Sequence, residues 1–227
     1  MIQPLILLAL YSFVFAEILK VRLGPEVGTT SFPLFLFCGI LPWQALQESL
    51  SRSASTLLEH ATLIKKNLFP VEVLPVTVAA SSIVSQLVGT GILVTALLAT
   101  GHGLRPAAVA LPALLAPQFL LMVGLGWMLA SLNVFVRDVG QVLGAILTLW
   151  VFLTPIFYPA SAYPARFSFL IILNPLALLV EGYRDILLRG VMPRPAHLAG
   201  LALFAVAVFG AGHWMFGRLR PGFADLV

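Results

Sequence analysis

Apolar stretches alternate with short charged ones along all 227 residues of the chain. A helix that crosses a bilayer needs about 20 mostly apolar residues, and several intervals reach that length. The first runs from about Met1 to Leu19, with Glu17 and Lys20 close enough to its end to snorkel toward the interface. The second covers roughly Ser31 to Ser49 and continues as a polar helix, on which Glu48 and Arg52 stand one turn apart in the favourable order. The third is charge-free from Val73 to Gly101, and Pro75 suits a first helical turn. The connector His102–Arg105 leads to a fourth span within Pro106 to Val136, and the fifth lies in Val134 to Pro159. A sixth occupies about His197 to Phe216, ahead of the basic tail GRLRPGFADLV.

One apolar segment does not fit this series. FSFLIILNPLALLV, Phe167 to Val180, is too short to cross and is split by Asn174-Pro175. Broken backbone at membrane depth survives only where protein or a wet cavity surrounds it. The pattern therefore predicts an all-α membrane protein: six transmembrane helices, with a re-entrant helix pair between the fifth and the sixth. The N-terminal stretch MIQPLILLALYSFVFAEILK is expected to be a retained span. No Lys or Arg precedes its apolar core and no A-x-A cleavage pattern follows it.

Composition agrees with this picture. Hydrophobic residues make up 60% of the chain and charged ones only 10%, outside the range of ordinary globular domains. The formal net charge of +4 does not point to nucleic acid, because the basic residues are scattered between the spans rather than massed on one patch. They suit lipid headgroups at helix ends. Nor do they orient the chain. Arg52, Lys65, Lys66, Arg137, Arg218 and Arg220 on one side face Lys20, Arg22, Arg105, Arg166, Arg184, Arg189 and Arg194 on the other.

Catalytic signatures are missing. The chain has no G-x-x-x-x-G-K-[ST] phosphate loop, no G-x-S-x-G elbow and no H-E-x-x-H pair. His197 and His213 share a helix but fall about 160° apart around it, so they are not co-ligands of a metal. Cys38 is the only cysteine, which rules out a disulfide or thiolate metal site within one chain.

Four segments remain as candidates for function. In STLLEHATLIKKNLFPVEVLP, the residues Leu57, Ala61, Ile64 and Leu68 form one apolar stripe with Glu59, Lys65 and Lys66 off it. Such a helix either rests on headgroups or seats in a groove of a soluble partner. The lip TPIFYPASAYPARF sets Phe157, Tyr158, Tyr163 and Phe167 among Pro155, Pro159 and Pro164. It reads as an aromatic belt or as a stacking surface for sugar rings. EGYRD places Glu181 and Asp185 one turn apart with Arg184 between them, either as a solvated face or as a latch. Gly140 and Gly144 form a G-x-x-x-G pair that permits close helix approach.

Five of these motifs, in order, resemble those of polysaccharide-exporting ABC transporter permeases of the type-2 class. They are LIKKNLFPVEVLP, LNVFVRDVGQVLG, LTPIFYP, LNPLALLVEGYRDILL and RLRPGFADLV. The resemblance implies that residues 1–227 form a single transmembrane domain. Residues 57–69 would be a cytoplasmic coupling helix, with Leu57, Ala61, Ile64, Lys65, Lys66, Asn67, Leu68 and Phe69 meeting the ATPase subunit. Residues 159–194 would be extracytoplasmic gate helices.

The implied pathway and gate residues are Trp150, Phe152, Phe157, Tyr158, Tyr163, Asn174, Glu181, Tyr183 and Arg184. The implied partners are a second copy of the chain, two ATP-binding subunits, membrane lipids and a lipid-linked polysaccharide of the O-antigen, capsule or teichoic acid type. The chain would sit in the bacterial inner membrane as a multi-pass protein with a cytoplasmic C-terminus. It would hold no cofactor or metal and do no bond chemistry, ATP and Mg belonging to the partner subunit. A type-2 exporter of drugs or lipids is the alternative within transporters, and a membrane-embedded glycan-modifying enzyme the alternative outside them.

Two departures from the family pattern stand out. The amphipathic helix usual before the first span does not precede it here, through a late start codon or a reduced ATPase contact. Val71 also occupies a position where the resemblance leads one to expect a basic residue.

Overall fold

A computed structural model of the chain describes residues 32–62, 70–101, 103 and 105–223, together with Ile6, Leu10 and Phe13. The expected first span therefore lies outside the described residues, as do residues 63–69 of the amphipathic stretch. All regular structure among the described residues is helical.

The long helices begin and end where charge and proline dictate. α1 runs Phe32–Glu59 without interruption, taking in both the apolar interval and its polar extension. Its Arg52 Nη1 donates to Glu48 Oε1 at 3.0 Å, on an exposed face. α2 covers Val73–Ala99, with Pro75 inside its first turn. A 3-10 turn at Pro106–Ala110 leads into α3, Leu111–Phe135. α4 covers Val139–Leu153, directly after Asp138, whose carbonyl accepts the N–H groups of Gln141 and Val142. A carboxylate at that position also suits the positive end of a helix.

Past Leu153 the chain turns irregular. Two short helices follow, α5 at Ser168–Leu173 and α6 at Pro175–Arg184. The break between them falls at Asn174-Pro175 for a local reason. Pro175 has no N–H to give and is pre-set for a first helical position. Asn174 caps α6, its Oδ1 accepting the Leu176 N–H at 3.1 Å. A π-turn at Asp185–Arg189 closes on Gly190, whose φ of 68° is a left-handed conformation that glycine adopts without strain. α7 covers Pro195–Leu219 and ends in a 3-10 turn at Arg220–Gly222.

Three stretches among the described residues are long and apolar enough to cross a membrane: Val73–Ala99, Pro106–Phe135 and Pro195–Gly222. The sequence expectation of a fifth span reaching Pro159 is shortened, because α4 has only 15 residues. At 1.5 Å per residue it is about 22 Å long, less than the roughly 30 Å hydrocarbon core. Pro155 explains the early stop, since it removes an N–H and pushes Thr154 away from helical geometry.

The chain divides into two compact units. One comprises residues 1–44, 85–114 and 151–199, the other residues 45–84, 115–150 and 200–227. In the first, Phe35, Leu36 and Phe37 of α1 are buried along with Leu93 and Leu97 of α2, Ile156, and Leu176, Leu179 and Val180 of α6. In the second, the interior holds Leu46, Leu50 and Leu57 of α1, Trp127 of α3, Leu143 and Leu147 of α4, and Phe216 and Phe223. There Asn133 Nδ2 donates to the Ala54 carbonyl at 2.8 Å and ties α3 to α1.

Helices in lipid approach most closely where side chains are smallest. In the second unit that place is the crossing of α3 and α7. A Cβ on Gly124 would lie 2.7 Å from the backbone of Phe209, and a Cβ on Gly212 would collide with the carbonyl oxygen of Gly124. The Gly140–Gly144 pair singled out by spacing has nothing within 4 Å of either position. Close approach is thus built from glycines on two different helices.

Gly212→Ala is accordingly expected to destabilise the protein by at least about 1–3 kcal/mol, because it pushes a methyl into backbone that cannot yield. Gly210→Ala, on the same helix but facing open space, should stay within about 0.5 kcal/mol of the parent. Thermal melts in detergent read both, and equal melting temperatures for the two variants would refute the contact.

Candidate functional site: the capped end of a broken helix

A helix leaves its last four carbonyls without intrahelical partners. At the end of α4 the first unit supplies them almost entirely from side chains. Tyr158 donates its hydroxyl to the Phe152 carbonyl at 2.6 Å, and Tyr163 donates to the Leu153 carbonyl at 3.1 Å. Asn174 Nδ2 reaches Thr154 Oγ1 at 3.0 Å and the Leu153 carbonyl at 3.5 Å. Arg184 then forks: Nη1 donates to the Pro155 carbonyl at 2.5 Å and Nη2 to the Ile156 carbonyl at 2.7 Å. Backbone N–H groups complete the set, Thr154 N to Val151 O at 3.4 Å and Ile156 N to Thr154 O at 2.7 Å. Each carbonyl from Val151 to Ile156 thus has a donor.

Arg184 is the centre of this arrangement. It is 0% exposed, and a guanidinium remains charged at any ordinary pH. Its Nη1 also meets Glu181 Oε1 at 2.8 Å, and its Cζ lies 3.6 Å from the centroid of the Phe35 ring of α1. A buried charge is tolerated when its donors are satisfied and an opposite charge is near. The aromatic face adds attraction for the cation. Nε is the one donor of this side chain that is buried without a hydrogen-bond partner.

The acidic pair of EGYRD is shared by two arginines. Arg189 Nη1 bridges Glu181 Oε2 at 2.9 Å and Asp185 Oδ1 at 2.6 Å. Burial alone would lower the pKa of Arg189, but the hydrogen bonds and charges of Asp185 and Glu181 raise it above the ordinary value. The line Asp185–Arg189–Glu181–Arg184 therefore runs from the surface to the buried carbonyls of Pro155 and Ile156.

These positions sort the expected pathway and gate residues into three groups. Phe152 is 64% exposed and pairs with the half-buried Phe157 at a centroid distance of 6.0 Å. Tyr158 and Tyr163, also half-buried, pair at 5.9 Å, and Trp150 is half-buried on α4. These rings form a surface. Asn174 and Glu181 are half-buried and belong to the hydrogen-bonded cap. Tyr183 and Arg184 lie inside the unit, Tyr183 at 2% exposure with its hydroxyl accepting from Gln86 Nε2 at 2.8 Å. Arg189, Gln86 and Phe35 were not anticipated from sequence. Only Arg189 carried a readable signal, standing one turn beyond Asp185.

Among the coupling residues, Leu57 is fully buried in the last turns of α1 and Ala61 is half-buried beyond His60. Ile64, Lys65, Lys66, Asn67, Leu68 and Phe69 lie outside the described residues. Among the described residues, no three His, Cys, Asp or Glu side chains assemble as a metal site.

Comparison with known proteins bears on the whole chain. The sequence pattern of the family described as ABC-2 type transporter matches residues 1–188. A Myxococcus xanthus protein named "O-antigen export system permease protein RfbA" is 28% identical over 229 aligned positions, covering 100% of this chain and 85% of the relative. Two Klebsiella pneumoniae proteins of the same name are 26% and 25% identical, each covering 99% of this chain and 85% of the relative.

The cap makes a graded prediction. Arg184→Met strands two buried carbonyls and half-strands Glu181, a loss of about 3–5 kcal/mol. Arg184→Lys keeps the charge but loses the fork that spans two acceptors, a smaller loss of about 1–3 kcal/mol. Detergent melts of the three proteins should rank parent, Lys, Met. A Lys variant as stable as the parent would show that the fork is not what matters.

Proposed function

This chain belongs to the ABC-2 type transporter family, and on that premise we propose that it is the membrane-spanning permease subunit of an ATP-driven polysaccharide exporter. The cargo is a lipid-linked chain of the O-antigen type, moved across the bacterial inner membrane. The observation that carries this reading is alignment over essentially the full chain with permeases named for O-antigen export. Chains of this family work as transport subunits beside separate ATP-binding subunits. ATP and Mg are assigned there, and this chain performs no bond chemistry.

The finer reading is a homodimer of six-span subunits with a cytoplasmic C-terminus and two ATP-binding partners. The first span falls in residues 1–19, and α5 with α6 are the gate helices of the exit side. The pathway runs between the two copies, along the open face of α4. That exposed surface is uncharged, with Gly140, Gly144 and Thr148 on one stripe and Val142, Ile146 and Leu149 on another. An uncharged wall does not bind a passing sugar tightly at any one point. Phe152 and Phe157, with Tyr158 and Tyr163 beside them, offer ring faces at its end, and the apolar face of a sugar ring packs on such surfaces. Both buried, Arg184 and Tyr183 act as positioning residues: Arg184 holds the gate helix to the end of α4, and Tyr183 ties it to α2 through Gln86.

ATP hydrolysis in the partner is converted to opening through residues 57–69. The double substitution Lys65→Glu, Lys66→Glu is expected to lower export about tenfold or more, equivalent to at least ~1.4 kcal/mol, while membrane insertion stays intact. Surface polysaccharide of whole cells and the permease content of their membranes measure the two. Normal export would remove the lysines from the coupling role. Purified alone, the chain should show no ATP turnover, and it should copurify with an ATP-hydrolysing subunit. An enzyme acting on glycans needs no such subunit, and a drug or lipid exporter would leave surface polysaccharide unchanged when deleted.

A further inference from the structure

Immediately after the coupling segment the chain returns as the turn Pro70–Glu72, which leads into α2 in the second unit. The turn is closed by Val73 N donating to Pro70 O at 3.0 Å and Leu74 N to Val71 O at 3.2 Å. The Val71 side chain is buried. Glu72 is held twice more, by elements far away in sequence. The indole Nε1–H of Trp127, on α3, donates to the Glu72 carbonyl at 2.9 Å. The guanidinium of Arg220, beyond α7, pairs with Glu72 Oε1.

Both of these holders are themselves anchored. Trp127 is buried, with ring centroids of Phe209 and His213 on α7 at 5.0 and 5.3 Å. Arg220 opens the terminal 3-10 turn, and the next described residue after that turn, Phe223, is buried. Phe223 packs edge-on against Phe216 at 5.3 Å and against Phe135 of α3 at 6.2 Å. The tail motif RLRPGF is thus a docked element, and its arginine reaches back to the turn.

Stability is a poor explanation for this convergence. An ion pair whose arginine is half-exposed contributes at most about 1 kcal/mol, and an indole–carbonyl bond about the same. Glu72 Oε2 is moreover buried with no hydrogen-bond partner, a cost that an apolar residue would not carry. What distinguishes Glu72 is its place. A turn left loose between the coupling segment and α2 would act as a hinge and absorb displacement. Bonded through both its main chain and its side chain, it moves with α3 and α7 as well as with α2.

We infer that Trp127 and Arg220 are positioning residues that clamp Glu72, making the turn Pro70–Glu72 a rigid mount for the C-terminal end of the coupling segment. The inference rests on the reading of residues 57–69 as the coupling segment. It assigns the C-terminal motif a part in energy conversion rather than in cargo binding or ATPase docking.

The test is charge exchange in the complex of the permease with its copurifying ATPase subunit. Glu72→Arg, Arg220→Glu and the double exchange are compared for assembly, ATP turnover and surface polysaccharide of whole cells. Each single variant is expected to lower polysaccharide exported per ATP hydrolysed at least threefold while the ATPase subunit still copurifies. The double exchange should restore the ratio to within twofold of the parent, which a change in fold stability alone would not do. Trp127→Phe, which keeps an aromatic ring of smaller size and removes the N–H, should lower the same ratio without loss of assembly. Failure of the double exchange to restore the ratio, or single variants with the parental ratio, would overturn the clamp. If the Lys65→Glu, Lys66→Glu variant also exports normally, the coupling assignment falls with it. If that variant is uncoupled while the exchange set is flat, only the clamp falls.

Discussion

Carbonyl groups without donors are the constraint around which the first unit is organised. In the interior of a bilayer no water is available to satisfy them, and each one left bare costs several kcal/mol. α4 stops at Leu153 after about 22 Å, shorter than the roughly 30 Å hydrocarbon core of a bilayer. Its terminal carbonyls are met by protein. The irregular stretch from Thr154 to Phe167 and the two short helices after it bring the required donors: two tyrosine hydroxyls, one asparagine amide and one guanidinium. The α5–α6 pair can be understood as the structure that carries these donors to the place where α4 breaks off.

Meeting that constraint with an arginine has consequences for how the parts move. A guanidinium inserted between Pro155, Ile156, Glu181 and Phe35 joins the end of α4, α6 and α1 at one point. Separating any of these elements exposes a charge to apolar surroundings, so small independent displacements are disfavoured. Motion of α6 then carries the end of α4 with it, or else breaks the set as a whole. Such all-or-none behaviour would suit the gate proposed for these helices, because packed and bonded elements switch between arrangements rather than deform gradually. A second carboxylate–arginine link through Arg189 extends the same rigidity to the π-turn.

The helices were largely legible from the spacing of charges and prolines. The uncharged run from Val73, the polar continuation of α1 to Glu59 and the break at Asn174-Pro175 all follow from local rules of length, capping and missing N–H groups. Partners across the fold were not legible in the same way. Helical period places Arg184 between two acids and suggests a solvated face, but the orientation of α6 turns it inward, onto carbonyls that sequence spacing cannot locate. The tyrosines of the lip read as aromatic anchors, whereas their hydroxyl ends cap α4. The spacing of Gly140 and Gly144 permits close approach but names no partner helix. The tight crossing within the second unit lies between Gly124 and Gly212, lone glycines whose importance depends on which helices cross.

The lip residues then carry two duties that cannot be separated in position. Tyr158 and Tyr163 are fixed at their tips by the α4 carbonyls, and their half-exposed rings are left as surface. A ring held by its hydroxyl has little rotational freedom, so the aromatic surface has a defined shape without needing further packing. The same bonds make that shape conditional on the cap. If the end of α4 is released, the rings lose their anchor and the surface rearranges with it. On the proposed reading of these rings as pathway lining, the wall and the backbone would change together, tying the grip on a passing sugar chain to the state of the cap rather than to the sugar itself.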